Sequence, residues 1–88
     1  MHAVIVSVTI QDAEAATQNL RNEVVPRVKQ APGFVAGYWV RIADDQGRGT
    51  IVFESEEAAR AVAEQVTNNP GGEVTFDSVD VGEVVESA

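Results

Sequence analysis

Val4, Val6, Val8 and Ile10 alternate with Ile5, Ser7 and Thr9. A period of two built mostly from β-branched side chains predicts a strand from His2 to Ile10. Asp12 then stands where a helix N-cap belongs, and Glu14 complements the positive end of the helix dipole in the first turn. Ala16, Leu20, Val24 and Val28 recur at every fourth position, the apolar stripe of a helix. Pro26 falls inside that stripe; lacking an N–H and crowding the preceding turn, it predicts a kink or break near Val25.

Ala31-Pro32-Gly33 supplies a stop, and Phe34 to Ile42 reads as a second strand. Strict alternation assigns Phe34, Ala36, Tyr38, Val40 and Ile42 to one face and Val35, Gly37, Trp39 and Arg41 to the other. Asp44-Asp45-Gln46-Gly47 is turn chemistry, and Arg48 to Glu54 returns as a third strand, so the connection is a hairpin. Ser55 caps a second helix whose Ala58, Val62 and Val66 repeat at spacing four beside Ala59 and Ala63. Asn68-Asn69-Pro70-Gly71-Gly72 ends it, and a last strand begins near Val74. There Val74 and Phe76 occupy even positions but Val79 and Val81 odd ones, which predicts a bulge near Asp77-Ser78. Asp77, Asp80, Glu83 and Glu86 suit a strand at a sheet edge, where charge discourages pairing with another chain.

The pattern is twofold. Ile10 to Ala16 lies over Phe53 to Ala59 as apolar strand end, polar residue, capping residue, acidic first turn and alanines. The predicted fold class is α+β, a ferredoxin-like βαββαβ sandwich spanning residues 1–88 as a single domain. With right-handed crossovers, its first and third strands are central in a four-stranded antiparallel sheet and two helices cover one face. The other face has no helix. If the more apolar set faces the helices, it carries Ile5, Val35, Trp39 and Val52 among Ser7, Thr9 and Thr50, and a patch of that size calls for a partner. A homodimer through the uncovered face is therefore expected.

Composition strengthens that expectation. A chain of 88 residues with no cysteine buries only roughly 60% of its unfolded surface and has no disulfide to support it, which leaves association as the common route to stability. Fourteen acidic residues face six basic ones, and beyond Phe53 nine carboxylates face Arg60 alone. Phosphate contacts need clustered Lys and Arg, so nucleic acid is not an expected partner. No apolar run approaches the roughly 20 residues of a membrane helix, no leader pattern precedes the first strand, and a cytoplasmic location is expected.

Candidate chemistry is sparse. His2, the one histidine, sits at the start of a strand without an acidic neighbour in sequence and reads as an exposed terminal residue. One histidine without cysteine makes no typical zinc site. Asp44-Asp45 and Glu56-Glu57 are ordinary in a turn and a first helical turn, and Arg48 between two glycines reads as a solvated hairpin residue. The strongest candidates are Tyr38 and Trp39. Adjacent on a strand, they project to opposite faces, one toward the helices and one toward the dimer face. Large aromatics with a polar tip serve as packing anchors or line a ligand cavity.

Ala31-Pro32-Gly33-Phe34 after a helix, followed by Gly37-Tyr38-Trp39 in a strand and a polar hairpin, resembles the Pro-Gly-Phe segment of antibiotic biosynthesis monooxygenase-like domains of the dimeric α+β barrel superfamily. The resemblance implies two ferredoxin-like subunits packed sheet to sheet, each with a cleft between helices and sheet. Some relatives oxidise aromatic polyketide-like substrates with molecular oxygen and no cofactor, using Tyr, Trp, Asn and Arg in that cleft, and Tyr38, Trp39 and Arg41 are the compatible residue types here. Others degrade haem with an iron-ligating histidine on a helix, and neither predicted helix contains one. The superfamily also includes isomerases and stress-associated proteins, so fold alone does not select a function. Three readings follow, none requiring a cofactor: a dimeric protein binding an apolar or aromatic small molecule between helices and sheet, with Tyr38, Trp39 and Arg41 as candidate contacts; a cofactor-independent monooxygenase of electron-rich aromatics; and a non-catalytic interaction module with a filled core.

Overall fold

A computed structural model of the chain describes residues 1–68 and 74–88, without the side chains of residues 67 and 68. Strand β1 (His2–Ile10) leads into α1 (Ala13–Asn19), a π-helical turn (Leu20–Val24) and α2 (Val25–Lys29). Strands β2 (Phe34–Ala43) and β3 (Gln46–Phe53) form a hairpin; α3 (Glu56–Asn68) and β4 (Val74–Glu83) complete the chain. The strands form one antiparallel sheet in the order β2-β3-β1-β4, with β1 and β3 central and β4 at an edge. This is the expected ferredoxin-like architecture. The expected stop at Asn68 to Gly72 falls, beyond Asn68, outside the described residues.

Both caps form as the sequence repeat requires. Asp12 Oδ1 accepts from the Ala15 N–H at 3.1 Å, and Ser55 Oγ accepts from the Ala58 N–H at 3.2 Å, each satisfying one orphan donor of a helix start. Pro26 does not end its helix. The Val25 N–H bonds to the Leu20 carbonyl, five residues back, and the widened π-turn hands over to a segment that carries Pro26 in its first turn, where a missing N–H costs nothing. The expected interruption near Val25 is thus a change of helical pitch. Gly33 follows Pro32 at φ +82°, a region that suits glycine, and its carbonyl accepts the Glu54 N–H at 2.8 Å. A Cβ on it would lie 3.2 Å from that of Ala58, so the Pro-Gly-Phe segment is set against α3 by backbone.

Val4, Val6, Ile51 and Phe53 of the central strands are buried against Val28, Ala59 and Val62. Phe34 meets Phe53 edge to face, with ring centroids 6.2 Å apart. The bulge in β4 lies where the parity change places it: Ser78 pairs with Ser7 and Phe76 with Val8, leaving Asp77 extra. Its carboxylate accepts the Thr9 hydroxyl at 2.8 Å.

The face assignment of β2 requires correction. Phe34 pairs with Phe53 but Ala36 with Val52, and Arg41 pairs with Gly47 but Ala43 with Gln46, so Val35 and Ile42 are extra residues and strict alternation fails twice. Phe34, Gly37, Trp39 and Arg41 share the helix side. Ala36, Tyr38 and Val40 lie on the uncovered side, and Trp39 does not belong to that surface as expected. The uncovered side still exposes Ile5, Tyr38 and Val40, with Val35 and Ile42 exposed at the two bulges.

Candidate functional site

The two helical runs meet the sheet differently. The α3 run packs on β1, β3 and β4 and buries Ala59 and Val62. In the first run, α1 and the π-turn contain no buried residue, and only Val28 of α2 is buried in the core. Ala16 and Leu20 therefore face the sheet across a gap, whose inner end is closed by Val24 packed against the core. That gap is a cleft of about 530 Å³, within the range of small-molecule sites.

Glycines make room for the side chains that form the floor of this cleft. Gly37 on β2 and Gly47 and Gly49 on β3 lie on the sheet face beneath the first helical run and line or adjoin the cleft. The Trp39 indole occupies the room over two of them. A Cβ on Gly37 would lie 2.9 Å from Trp39 Cη2, and one on Gly49 would lie 3.1 Å from Trp39 Cδ1. Val6, Val8, Ile51, Val74 and Phe76 extend the apolar floor, and Thr17, Asn19 and Gln65 add neutral polar groups.

Among the three residues singled out from sequence, Trp39 and Arg41 line the cleft, whereas Tyr38 is 67% exposed on the opposite face of the sheet. The two aromatics do project to opposite faces, as adjacent strand residues must. Sequence reasoning missed Arg21 and Arg27 from the first helical run, Leu20 and Val24 as cleft walls, and the glycine floor. The signal was present: Gly37, Gly47 and Gly49 share one sheet face in the β2-β3 register.

His2 departs from the expected exposed terminal residue. Its side chain is 22% exposed, its Nε2 lies 3.3 Å from Glu56 Oε2, and its buried Nδ1 has no hydrogen-bond partner. Glu56 comes from the first turn of α3, distant in sequence but carried there by the fold. Its carboxyl is held below the ordinary value of 4.5, first by the hydrogen bond from Arg60 Nε at 2.9 Å and the Arg60 charge, and to a lesser degree by His2. This group stands outside the cleft lining. Arg48 turns back on its own strand, Nη1 donating to the Gly47 carbonyl at 3.1 Å. Among the described residues no group of three or more His, Cys, Asp or Glu is placed to hold a metal ion.

No protein-family model matches the chain, and no curated protein does. Solved structures match it over their whole length. HapK from Hahella chejuensis superposes with a TM-score of 0.71 at 15% identity, covering 100% of this chain and 96% of that one. A variant of MhuD with two manganese protoporphyrin IX groups bound per active site gives 0.71 at 18% identity, covering 100% and 98%. An EthD family protein from Bacillus halodurans gives 0.63 at 16%, covering 97% and 100%. The chain shares the ferredoxin-like fold of these structures. At these identities the likeness is one of fold.

Since MhuD from Mycobacterium tuberculosis is a heme-degrader with two hemes in its active site, the fit of haem to this cleft is a fair test. Haem iron takes His, Cys, Met or Tyr as axial ligand. Among the described residues none of these lines the cleft: His2 lies beside α3 and Tyr38 lies across the sheet. The residues present do not fit an iron-ligated haem.

Proposed function

We propose that this protein is a homodimer that binds an apolar or aromatic small molecule in the cleft between its first helical run and its sheet. The observation that carries the reading is the 530 Å³ cleft itself. An amphipathic helix normally closes its apolar stripe onto a sheet because each buried aliphatic side chain gains about 1.5–3 kcal/mol. Here Ala16 and Leu20 stay half-buried along the cleft, an arrangement that favours an occupant. Trp39 offers the occupant a flat apolar wall and Arg41 a cation. A filled-core interaction module loses its basis in such a space. The dimer reading rests on the apolar side chains exposed on the uncovered face and on the chain's small size, and a cytoplasmic location remains part of the proposal.

Binding is favoured over turnover by the lining. No Asp, Glu or His faces the cleft among the described residues, so it provides no ordinary general base to ionise a phenol or quinol for attack on oxygen. Isothermal titration with a panel of bicyclic and tricyclic phenols and quinones is expected to find a ligand at about one per chain, abolished by Leu20→Trp, which fills the cleft. Oxygen uptake with the same panel is expected to stay at the buffer rate. Sustained uptake would transfer the reading to the monooxygenase. An absence of heat across the panel would remove the cleft as a binding site.

A further inference from the structure

The distribution of charge around the cleft runs against that of the chain. Fourteen acidic residues outnumber six basic ones, yet no carboxylate lines the cleft among the described residues, and every charged residue that does is an arginine. Arg21 and Arg27 come from the first helical run and Arg41 from β2, on the register that faces the helices. Arg48 borders it too but is already bonded to its own strand.

Two of the basic residues meet carboxylates, one of them at the cleft. Glu56 takes Arg60, and Glu23 approaches Arg27 at a loose and exposed 3.9 Å. Arg21 and Arg41 pair with no carboxylate among the described residues. Against an apolar wall an arginine keeps its stem on the surface and its guanidinium free at the rim. A guanidinium in that position is a fork of donors suited to a planar oxyanion.

We infer that the natural ligand is an aromatic acid, its ring system over Trp39 and the glycine floor and its carboxylate or equivalent oxyanion held at the rim by Arg41 and Arg21. This rests on the proposed cleft reading and specifies its ligand class. The oxyanion accepts hydrogen bonds without any covalent step. Specificity follows from the imbalance, because the negative field of the rest of the surface disfavours anions that cannot reach the arginines.

Two dyes of one skeleton test the point: anilinonaphthalenesulfonate and its neutral parent N-phenylnaphthylamine, titrated by their own emission. The sulfonate is expected to bind at least about tenfold more tightly, the equivalent of one charge-assisted hydrogen bond. Arg41→Met combined with Arg21→Met is expected to reduce its affinity to that of the neutral dye. Ala16→Phe, or independently Leu20→Trp, is expected to exclude both dyes while far-ultraviolet circular dichroism stays native. Equal affinities for the two dyes, both lost on filling the cleft, would leave the cleft reading intact and overturn the acid. A sulfonate preference that survives loss of both arginines would overturn it as well. Binding that persists in both filled variants would overturn the cleft and the acid together.

Discussion

Trp39 and Gly37 form a unit in which one residue's bulk depends on the other's lack of it. With Cη2 and Cζ3 at 2.9 and 3.0 Å from a Cβ built on Gly37, Gly37→Ala forces the indole off its seat. Because the indole borders the cleft and can give way, the cost is expected at the low end of the about 1–3 kcal/mol of overpacking, read as a lowered urea midpoint with unchanged m-value. Glu56 gives a second test at the same scale. Its carboxyl titrates below the ordinary 4.5 because Arg60, and then His2, favour the anion. A depressed carboxyl pKa contributes stability that is present above pH 4.5 and lost as pH falls through the folded-state value. Glu56→Gln should therefore flatten the acid limb of the stability curve below pH 4.5, measured as urea midpoints across pH 3 to 7.

At the scale of elements, the helix starts were legible and the strand faces only in part. Asp12 and Ser55 precede alanine-rich helices and cap them as written. Asp12→Ala is expected to cost about 1 kcal/mol, read as a drop in melting temperature, and the loss should fall on the first helical run. The bulge in β4 announced itself because that strand has one apolar face, so the move from Phe76 to Val79 changes parity. In β2 both faces are apolar: Val35 and Trp39 compete with Phe34, Tyr38 and Val40, and parity carries no information. Alternation alone therefore shows neither bulge, at Val35 or at Ile42, and puts Trp39 on the uncovered surface when the more apolar set is turned to the helices. The cleft was hidden for a related reason. A stripe such as Ala16, Leu20 and Val24 reads the same whether it closes on a sheet or stands above it, and only the glycines opposite distinguish the two.

For the whole molecule, the sheet divides two kinds of unfinished surface. One face has a cleft beneath the N-terminal part of a helical run that touches the core only toward its end, at Val24 and Val28; the other exposes Ile5, Tyr38 and Val40 with none of the described elements over them. Pairing two copies through the second face leaves the first open to ligand, which is why assembly and binding coexist in this reading. Sedimentation at micromolar concentration is expected to give a dimer mass. Tyr38→Asp, at a position too exposed to matter to the isolated chain, is expected to shift it to a monomer by placing a charge in an apolar interface. A wild-type monomer at that concentration would refute the arrangement.

The division of the aromatics carries an experimental consequence. The chain has a single tryptophan and a single tyrosine, and adjacent positions on β2 send them to opposite sides of the sheet. Each face thus bears its own chromophore. On the proposed reading, indole emission is expected to report occupancy of the cleft and tyrosine absorbance to report closure of the dimer interface. The proposed ligand entry and subunit association would then be timed separately in one unlabelled sample.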